Sequence, residues 1–379
     1  MNVLILSAYD AQSHRRWHLG LVKHLPFEFS VMTLPPRYFA WRIRGNALTW
    51  AMAHKAELLA KPWDVIVATS MVDLASLKGL VPELAQVPTL LYFHENQFAY
   101  PQSVGQATIN AQIEPQMVSL YGALAADKIA FNSNYNKKTF LQGAQALLKK
   151  LPDHVPKNIP ACLEDKSVVL PVPLEPSCFS RGARACERGE GPLTVVWNHR
   201  WEYDKGPDLL LAIVQLLAAL APTLALRFHI VGEQFRQMPA SFNALNTLLN
   251  HCGWSGEWGY LPCDQYRAVL HASDIVLSTA LHDFQGLAVM DAVAAGCTPL
   301  LPARLAYPDF FAAPFLYEQH NNTGNRERTT DDEALAAAQK IIAYARGDTP
   351  MLCPDLHNLS WTALARPYSE QLRRLAVPC

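Results

Sequence analysis

Short apolar runs alternate with helical patterns along most of the chain, and this alternation restricts the fold more than any other feature. Strands separated by helices form parallel sheets with helices on both faces, whereas hairpins would need short turns between the strands. Helical patterns lie over residues 17–24, 47–59 and 136–149. In the first half, strands are predicted at residues 2–6, 29–33, 64–68, 89–93, 128–131 and 167–172. In the second half, they are predicted at residues 193–198, 224–231, 256–260, 274–278 and 298–302.

Two such sets of strands predict two domains, for which 379 residues are sufficient. We expect an α/β protein with two Rossmann-like, doubly wound parallel-sheet domains facing a cleft, which is where ligands bind in such folds. The predicted N-terminal domain covers residues 1–180 and the C-terminal domain residues 190–360. A final helix over residues 361–379 is expected to cross back to the first domain. The polar segment around Cys186 is the predicted linker, and residues 320–333 are a predicted surface loop.

Composition excludes several classes of protein. Hydrophobic residues make up 50%, charged residues 17%, and the formal net charge is −1, so the chain is neither disordered nor a polycation. Its 8 cysteines include no C-x-x-C pair and no zinc-site spacing, which predicts free thiols in a reducing, cytoplasmic location and no metal site. We predict no signal peptide and no membrane span. No coiled-coil heptads are visible, which leaves the oligomeric state open.

Two acids eight residues apart follow the fourth predicted strand of the second half. Asp283 lies in a loop, Gln285, Gly286 and Leu287 open a helix, and Asp291 follows on that helix. The start of a helix attracts anions through its free N–H groups and its dipole, and carboxylates accept hydrogen bonds from sugar hydroxyls. The pattern therefore favours a nucleotide-sugar pocket. The alternative is structural, with Asp283 capping the helix and Asp291 on its solvated face.

A basic pair follows the first strand of the second half. Arg200 and Lys205 lie five residues apart in a polar loop that ends at Gly206. Two cations at a strand end would neutralise a diphosphate leaving group as its charge develops. The alternative is a solvated turn.

Polar residues also follow three strands of the first half. His94, Glu95, Asn96 and Gln97 come directly after the strand at residues 89–93, where this architecture places active sites. Ser13 and His14 follow the first strand, and Lys137 follows a helix cap at Ser133 or Asn134. Before a helix predicted from Asn46, aromatic residues alternate with cations, which adds the candidates Arg37, Trp41, Arg42 and Arg44. For each of these groups the structural alternative is a turn or a helix cap.

The order of these motifs resembles that in the tRNA-queuosine α-mannosyltransferases, a group of family-4 glycosyltransferases with the GT-B fold. In the first half, the resemblance is carried by Trp41-Arg-Ile-Arg44, His94-Glu-Asn-Gln97 with Tyr100-Pro101, Phe131-Asn-Ser133, and Leu151-Pro-Asp-His154 with Pro156-Lys157. In the second half, it is carried by residues 199–205, the segment from Asp283 to Gly296, and Tyr307-Pro308.

This resemblance implies a GT-B enzyme that transfers mannose from GDP-mannose to the cyclopentenediol of queuosine in tRNA, with retention of configuration and without a metal or other cofactor. Its partners would be a nucleotide sugar and queuosine-modified tRNA. Catalytic roles would fall to His94, Glu95 and Asp283. Donor binding would fall to Ser13, His14, Arg200, Lys205, Gln285, Gly286, Leu287 and Asp291, with Asp283 on the sugar and Asp291 on the ribose. Acceptor binding would fall to Arg37, Trp41, Arg42, Arg44, Asn96, Gln97 and Lys137.

The chain departs from the family pattern in two places. The family usually has Glu-x7-Glu, whereas both acids here are Asp, and the first loop has Ala11 where relatives carry glycines. One alternative is therefore a family-4 enzyme with another donor, or with a lipid or small-sugar acceptor. Another is a non-catalytic module that binds nucleotide sugar or tRNA. A basic surface around Arg15, Arg42, Arg44 and Lys137 would favour tRNA. The first loop lacks G-x-G-x-x-G, which argues against an oxidoreductase.

Overall fold

The computed structural model describes residues 1–99, 109–179, 191–235, 238–317 and 326–377, without side chains for 109–112 and 326–330. The chain divides into an N-terminal unit, Met1–Pro173 with Leu359–Cys379, and a C-terminal unit, Leu174–Asn358. Each unit has one six-stranded parallel sheet among the described residues. The predicted class, α/β with two doubly wound parallel sheets, is confirmed.

The N-terminal sheet has the strand order β2-β1-β3-β4-β5-β6. Its inner strands are apolar on both faces because helices cover both sides, and Val3, Leu4, Ile5 and Leu6 are fully buried. The strands are β1 (Asn2–Ser7), β2 (Glu28–Thr33), β3 (Val65–Thr69), β4 (Thr89–Phe93), β5 (Lys128–Phe131) and β6 (Ser167–Val169). The helices are α1 (Gln12–His24), α2 (Phe39–Ala53), α3 (Lys55–Leu58), α4 (Leu74–Leu80), α5 (Ile109–Ala125), α6 (Asn134–Lys150) and α7 (Ile159–Asp165).

The C-terminal sheet has the order β12-β11-β10-β7-β8-β9. Its strands are β7 (Leu193–Trp197), β8 (Leu226–Val231), β9 (Ser255–Gly259), β10 (Ile275–Leu277), β11 (Thr298–Pro302) and β12 (Leu316–Tyr317). Its helices are α8 (Pro207–Leu220), α9 (Ser241–Cys252), α10 (Cys263–Ala272), α11 (Leu287–Ala294), α12 (Tyr307–Phe310) and α13 (Arg326–Arg346). A separate apolar core, built around Trp197, Leu210 and Phe228, holds this unit together.

The last helix, α14 (Trp361–Ala376), belongs to the N-terminal unit. The Tyr368 hydroxyl accepts a hydrogen bond from Trp17 Nε1 at 3.1 Å and lies 3.1 Å from the Tyr92 hydroxyl. Trp361 packs against α1 at Gly20, where a Cβ would lie only 2.1 Å from its ring. α14 therefore completes the packing of α1 and β4.

Helix α2 differs from its prediction. It begins at Phe39, not near Asn46, after Tyr38 in the left-handed region with φ of 56°. The helix can include Gly45 because the Trp41 ring covers that position from one turn earlier. Trp41, Arg42 and Arg44 are therefore helical. As expected, the Ser133 hydroxyl caps α6 by accepting from Asn136 N.

The described residues contain no helix long and apolar enough to cross a membrane. In the same ranges, no group of three or more His, Cys, Asp or Glu side chains is placed to hold a metal ion. Some predictions fall outside the described residues, namely the linker around Cys186, the pair Tyr100-Pro101, and residues 320–325 of the predicted loop. The rest of that prediction, a surface loop over residues 326–333, is wrong, because these residues form the first two turns of α13.

Candidate active site

The C-terminal sheet reverses its winding between β7 and β10. The chain runs outward from β7 to β9, returns to β10 beside β7, and continues outward to β12. Such a reversal separates the two following loops and leaves a crevice for a ligand at the carboxyl ends of the strands. The loop after β7 carries Arg200 and Lys205, and the loop after β10 carries Asp283. The topology therefore brings together two segments that the sequence predicts to bind the donor.

Lys205 is a buried cation in this crevice, with 8% of its surface exposed. Its ammonium donates to the His282 carbonyl oxygen at 2.6 Å and lies 3.3 Å from Asp204 Oδ2. The next residue, Gly206, has φ of 67°, and a Cβ there would lie 2.1 Å from the Thr279 carbonyl oxygen. Glycine thus lets the β7 loop approach the β10 loop closely, so the lysine is fixed before any ligand binds.

Arg200 occupies a different environment. Its side chain is about half exposed, and Nη2 lies 3.0 Å from Glu202 Oε2. Exposed ion pairs contribute little free energy, so the guanidinium can exchange the carboxylate for a phosphate at small cost. The two predicted diphosphate ligands therefore combine a fixed buried cation with a surface cation.

Asp283 is held from two sides. Its Oδ1 accepts from Gly286 N at 2.8 Å, while Oδ2 lies 3.7 Å from Lys205 Nζ and 3.5 Å from the Tyr307 hydroxyl. Burial would raise the pKa of Asp283, but Lys205, with His199 and the Gly286 N–H group, outweighs it and holds the pKa below its ordinary value. Asp283 is thus ionised. Oδ1 thus caps α11, as the structural alternative predicted. Binding of a sugar hydroxyl would use lone pairs of the carboxylate that the cap leaves free.

The start of α11 lies beside this carboxylate. Gly286 has φ of 80°, which favours glycine, and Leu287 is the first helical residue. The buried Gln285 amide lies 3.5 Å from Met290 Sδ, which fixes this side chain against the helix. The first N–H groups of α11 lie where the sequence predicts an anion site, and anion binding there stays a prediction.

Asp291 lies further along α11. It is half-buried, and its Oδ1 accepts a hydrogen bond from Cys178 Sγ at 3.2 Å. It is thus not simply on a solvated helix face. Asp291 lies on the second turn of α11, in the same unit as Lys205 and Asp283. Its binding of the donor ribose stays a prediction.

His199 and His282 also belong to this crevice, although the sequence analysis did not select them. Both are buried, and burial together with the nearby Lys205 lowers the pKa of each to about 4. Each directly precedes a selected residue, Arg200 or Asp283, and that adjacency was the available signal. Both imidazoles are neutral at pH 7, so they add no charge to the site.

Because the pKa values of these two histidines are lowered in the folded protein, we expect the protein to lose stability in mild acid. Their folded pKa values lie below the unfolded value of about 6.5, so the unfolded chain binds more protons between pH 6.5 and 4. The contribution of each histidine to the free energy of unfolding is complete above about pH 6.5. It is lost as the pH falls toward 4, by on the order of 3 kcal/mol for each histidine. Urea unfolding at a series of pH values measures this slope. It should flatten in His199→Asn/His282→Asn, and an equal slope in that variant would contradict the assignment.

In the N-terminal unit, His94 lies at the end of β4 within a cluster of rings. It stacks on His14 with ring centroids 4.2 Å apart and meets Trp17 at 4.8 Å and Tyr92 at 4.7 Å. Burial lowers the pKa of His14 and lowers that of His94 well below its ordinary value. His94 Nε2 and His14 Nδ1 are buried without a hydrogen-bond partner among the described residues. Two neutral imidazoles thus offer unused polar atoms.

The neighbours of these histidines are more exposed. Ser13 is exposed in the first turn of α1, one residue before His14. Glu95 is half-buried, and its carbonyl oxygen accepts from Ser70 Oγ at 3.2 Å. Its charge acts on His14, where it opposes the effect of burial on the pKa.

Asn96 is fully buried and engaged in the loop itself. Its Nδ2 donates to Asn136 Oδ1 at 2.8 Å and Thr139 Oγ1 at 2.9 Å, and its Oδ1 accepts from the N–H groups of Phe98 and Ala99. The amide therefore shapes the loop after β4 and presents no exposed surface to an acceptor. The half-buried Gln97 lies 3.9 Å from a methionine sulfur and contributes little polar contact in this conformation.

A second buried amide, Asn132, anchors the strand end. Its Nδ2 donates to the His94 carbonyl oxygen at 2.8 Å, and its Oδ1 accepts from Asn136 Nδ2. Asn136 also donates to the Phe93 carbonyl oxygen at 2.9 Å. These asparagines hold the backbone of His94. Their position directly after β5 was the only signal of this role before the structure was known.

The start of α2 presents aromatic rings to solvent. Tyr38 is 72% exposed and Trp41, one turn later, is 55% exposed. The Arg37 guanidinium lies 5.7 Å from the centroid of the Tyr38 ring. Stacking on nucleobases requires such exposed ring faces.

Three of the four cations whose clustering would favour tRNA present little free charge to solvent. Arg42 is buried, Arg44 lies 2.9 Å from Asp73 and 3.1 Å from Glu114, and Lys137 lies 2.6 Å from Glu164. These cations are largely neutralised or withdrawn from the surface. The sequence could not show this, because the paired acids lie on other elements.

Comparisons with known proteins place the chain among glycosyltransferases. Residues 2–174 match a family described as "tRNA-queuosine alpha-mannosyltransferase N-terminal". A Drosophila melanogaster protein named tRNA-queuosine alpha-mannosyltransferase is 32% identical over 332 residues, which cover 84% of each chain.

Solved structures support the fold. Sucrose-phosphate synthase from Thermosynechococcus elongatus superposes with a TM-score of 0.65 at 14% identity, covering 99% of this chain and 98% of that one. A UDP-forming trehalose-phosphate synthase from Burkholderia xenovorans gives a TM-score of 0.63 at 12% identity, covering 100% and 99%. At these identities the likeness shows the GT-B fold alone, and it confirms that prediction.

Proposed function

Because the chain belongs to the tRNA-queuosine alpha-mannosyltransferase family, we propose that it transfers mannose from GDP-mannose to a cyclopentenediol hydroxyl of queuosine in tRNA, with retention of configuration. Membership makes it a glycosyltransferase. The donor, the stereochemistry and the independence from metal are the parts proposed here.

One observation carries the proposal. A buried Lys205 ammonium and the start of α11 lie on either side of the ionised Asp283, at the winding reversal of the C-terminal sheet. Positive groups that are fixed in advance stabilise charge that appears only in the transition state, without reorganisation. An ionised carboxylate between them accepts hydrogen bonds from hydroxyl groups and so orients a sugar.

The proposed reaction places negative charge on the diphosphate. The bond between the anomeric carbon and the phosphate oxygen breaks, and the diphosphate keeps the electron pair. The queuosine hydroxyl attacks from the same face, and a diphosphate oxygen takes its proton. Lys205 and Arg200 would hold the diphosphate, and Asp291 would bind the ribose. The same positive groups replace a metal ion, so EDTA should leave the rate unchanged.

The N-terminal unit would supply contacts to sugar and acceptor. We assign His94 to a hydroxyl of the transferred sugar because its Nε2 is buried without a partner among the described residues. A neutral imidazole can donate or accept there, depending on the tautomer. His14, Ser13 and Glu95 would border this contact.

Transfer itself tests the function. Purified protein is incubated with queuosine-containing or queuosine-lacking tRNA and with GDP-mannose, UDP-glucose, UDP-galactose or UDP-N-acetylglucosamine, and digested nucleosides are weighed by mass spectrometry. We expect a hexose gain on queuosine with GDP-mannose. Digestion of the product with α- or β-mannosidase then shows whether the anomeric configuration of the mannose is retained. No gain with any donor, from protein that binds GDP-mannose, would contradict the tRNA acceptor.

Trp41 provides a test of acceptor binding. Removing its exposed ring in Trp41→Ala should raise the KM for tRNA roughly tenfold, because stacking on one base contributes about 1–3 kcal/mol. Transfer to free queuosine nucleoside should not change. Met52→Ala is the control, since Met52 is an exposed apolar residue of α2 without a ring. Equal KM values in both variants would exclude base stacking at Trp41.

A further inference from the structure

Tyr307 carries a buried hydroxyl between two groups of the donor crevice. The hydroxyl lies 2.7 Å from Ser278 Oγ and 3.5 Å from Asp283 Oδ2. The side chain is fully buried at the start of α12. The proposed reaction uses Asp283 but assigns no role to this tyrosine, although Tyr307-Pro308 is one of the family-like motifs.

The direction of these hydrogen bonds follows from charge. An ionised carboxylate only accepts, so the Tyr307 hydroxyl donates to Asp283. The single proton of Tyr307 is then used, so Ser278 donates to the Tyr307 oxygen. The Ala280 N–H group in turn lies 3.3 Å from Ser278 Oγ and donates to it. The result is a chain of donors that starts at the backbone after β10 and ends at Asp283.

Packing holds the tyrosine ring in place. A Cβ at Gly286 would lie 2.8 Å from Tyr307 Cε1, so the ring rests against the bare backbone at the start of α11. Gly286 also donates its N–H group to Asp283 Oδ1. The same glycine thus fixes one carboxylate oxygen directly and admits the ring that reaches the other.

We propose that Tyr307 is a positioning residue that fixes the carboxylate plane of Asp283 and thereby orients the sugar of the donor. The inference rests on the proposed function, in which Asp283 accepts hydrogen bonds from sugar hydroxyls. Oδ1 accepts from the N–H groups of Gly286 and Gln285, and Oδ2 accepts from Tyr307, so the carboxylate is restrained from turning. Oδ2 keeps a lone pair with which it can accept from a sugar hydroxyl. Fixing both oxygens matters more for aspartate than for glutamate, because the shorter side chain has less reach.

Two tyrosines of the same unit give a matched pair of variants. Tyr307→Phe removes the hydroxyl directed at Asp283. Tyr317→Phe removes another fully buried hydroxyl, which donates to the Ser278 carbonyl oxygen at 2.7 Å and is part of no proposed binding contact. Tyr307→Phe loses its hydrogen bonds with Asp283 and Ser278, whereas Tyr317→Phe loses its hydrogen bond to the Ser278 carbonyl oxygen. The comparison therefore tests whether losing a buried tyrosine hydroxyl beside Ser278 is enough to weaken donor binding.

The test measures dissociation constants for GDP-mannose and for GDP by titration calorimetry. In Tyr307→Phe we expect the constant for GDP-mannose to rise about fivefold to tenfold, the size of one lost hydrogen bond, while the constant for GDP stays unchanged. GDP lacks the mannose that Asp283 is proposed to contact, so its binding should not depend on the orientation of this carboxylate. Tyr317→Phe should change neither constant. Equal losses for both ligands, or no loss for either, would overturn the positioning role.

Asp283→Asn separates this outcome from a failure of the proposed function. If that variant also leaves the ratio of the two constants unchanged, Asp283 does not bind the sugar, and the proposed function and the inference fall together. If wild-type protein does not bind GDP-mannose, the proposed donor is wrong. The comparison is then made with UDP-glucose and UDP, where the same selective loss supports the role of Tyr307 and its absence overturns it.

Discussion

Replacing Lys205 with methionine is expected to lower kcat/KM for glycosyl transfer by roughly a thousandfold, the largest effect we predict for a single side chain. Methionine keeps most of the side-chain volume and removes the charge. The ammonium is the fixed cation of the crevice proposed to bind the donor, 3.7 Å from Asp283 and 3.3 Å from Asp204. Without it, developing charge on the diphosphate loses its buried partner. Initial rates with saturating tRNA and varied GDP-mannose measure the loss.

The same substitution should also lower the free energy of unfolding by about 3 kcal/mol, because the buried Asp204 and the partly buried Asp283 lose their cation. Lys166→Met in the N-terminal unit is the control. Lys166 is partly buried and donates to the carbonyl oxygens of Leu124 and Ala126, so its loss should reduce stability and leave donor kinetics unchanged. Nearly normal kcat/KM in folded Lys205→Met would contradict the role of Lys205 in diphosphate binding.

Replacing His94 with phenylalanine is expected to lower kcat roughly a hundredfold while the protein stays folded. Phenylalanine retains the stacking on His14 and the edge-to-face contact with Trp17, but it lacks the Nε2 atom that has no partner among the described residues. Loss of a contact to the transferred sugar therefore acts on the reaction more than on packing. Single-turnover rates and urea unfolding of the same sample separate the two effects.

His24→Phe is the matched control for that experiment. His24 ends α1 in the same unit and stacks on Trp361 with ring centroids 4.9 Å apart. Phenylalanine should preserve this stack and leave kcat unchanged. If His94→Phe and His24→Phe have equal rates, His94 serves packing alone.

The fold was predictable because strands buried on both faces are visible as apolar runs. β1, β4 and β11 lie within one residue of their predicted bounds. Boundaries set by tertiary contact were less accurate. The start of α2 was misplaced because it depends on Trp41 covering Gly45 and on the left-handed conformation of Tyr38, neither of which periodicity reveals.

The candidate site was predictable where chemistry follows a strand directly in sequence. Lys205 and Asp283 were selected for this reason, and the winding reversal explains why residues 78 positions apart meet. The Tyr307 hydroxyl and the imidazoles of His199 and His282 were missed because their importance depends on three-dimensional proximity. For the same reason, the buried state of Arg42 and the internal hydrogen bonds of Asn96 could not be foreseen.

The membership of α14 in the N-terminal unit has a consequence for how the protein is made. Tyr368 supplies the hydroxyl that meets Trp17 and Tyr92, yet it leaves the ribosome 276 residues after Tyr92. The N-terminal unit cannot complete its packing during synthesis until the C-terminal unit, continuous from Leu174 to Asn358, has already emerged. The first unit to be translated is therefore the last to be finished, and until then its α14-binding surface is open to chaperones.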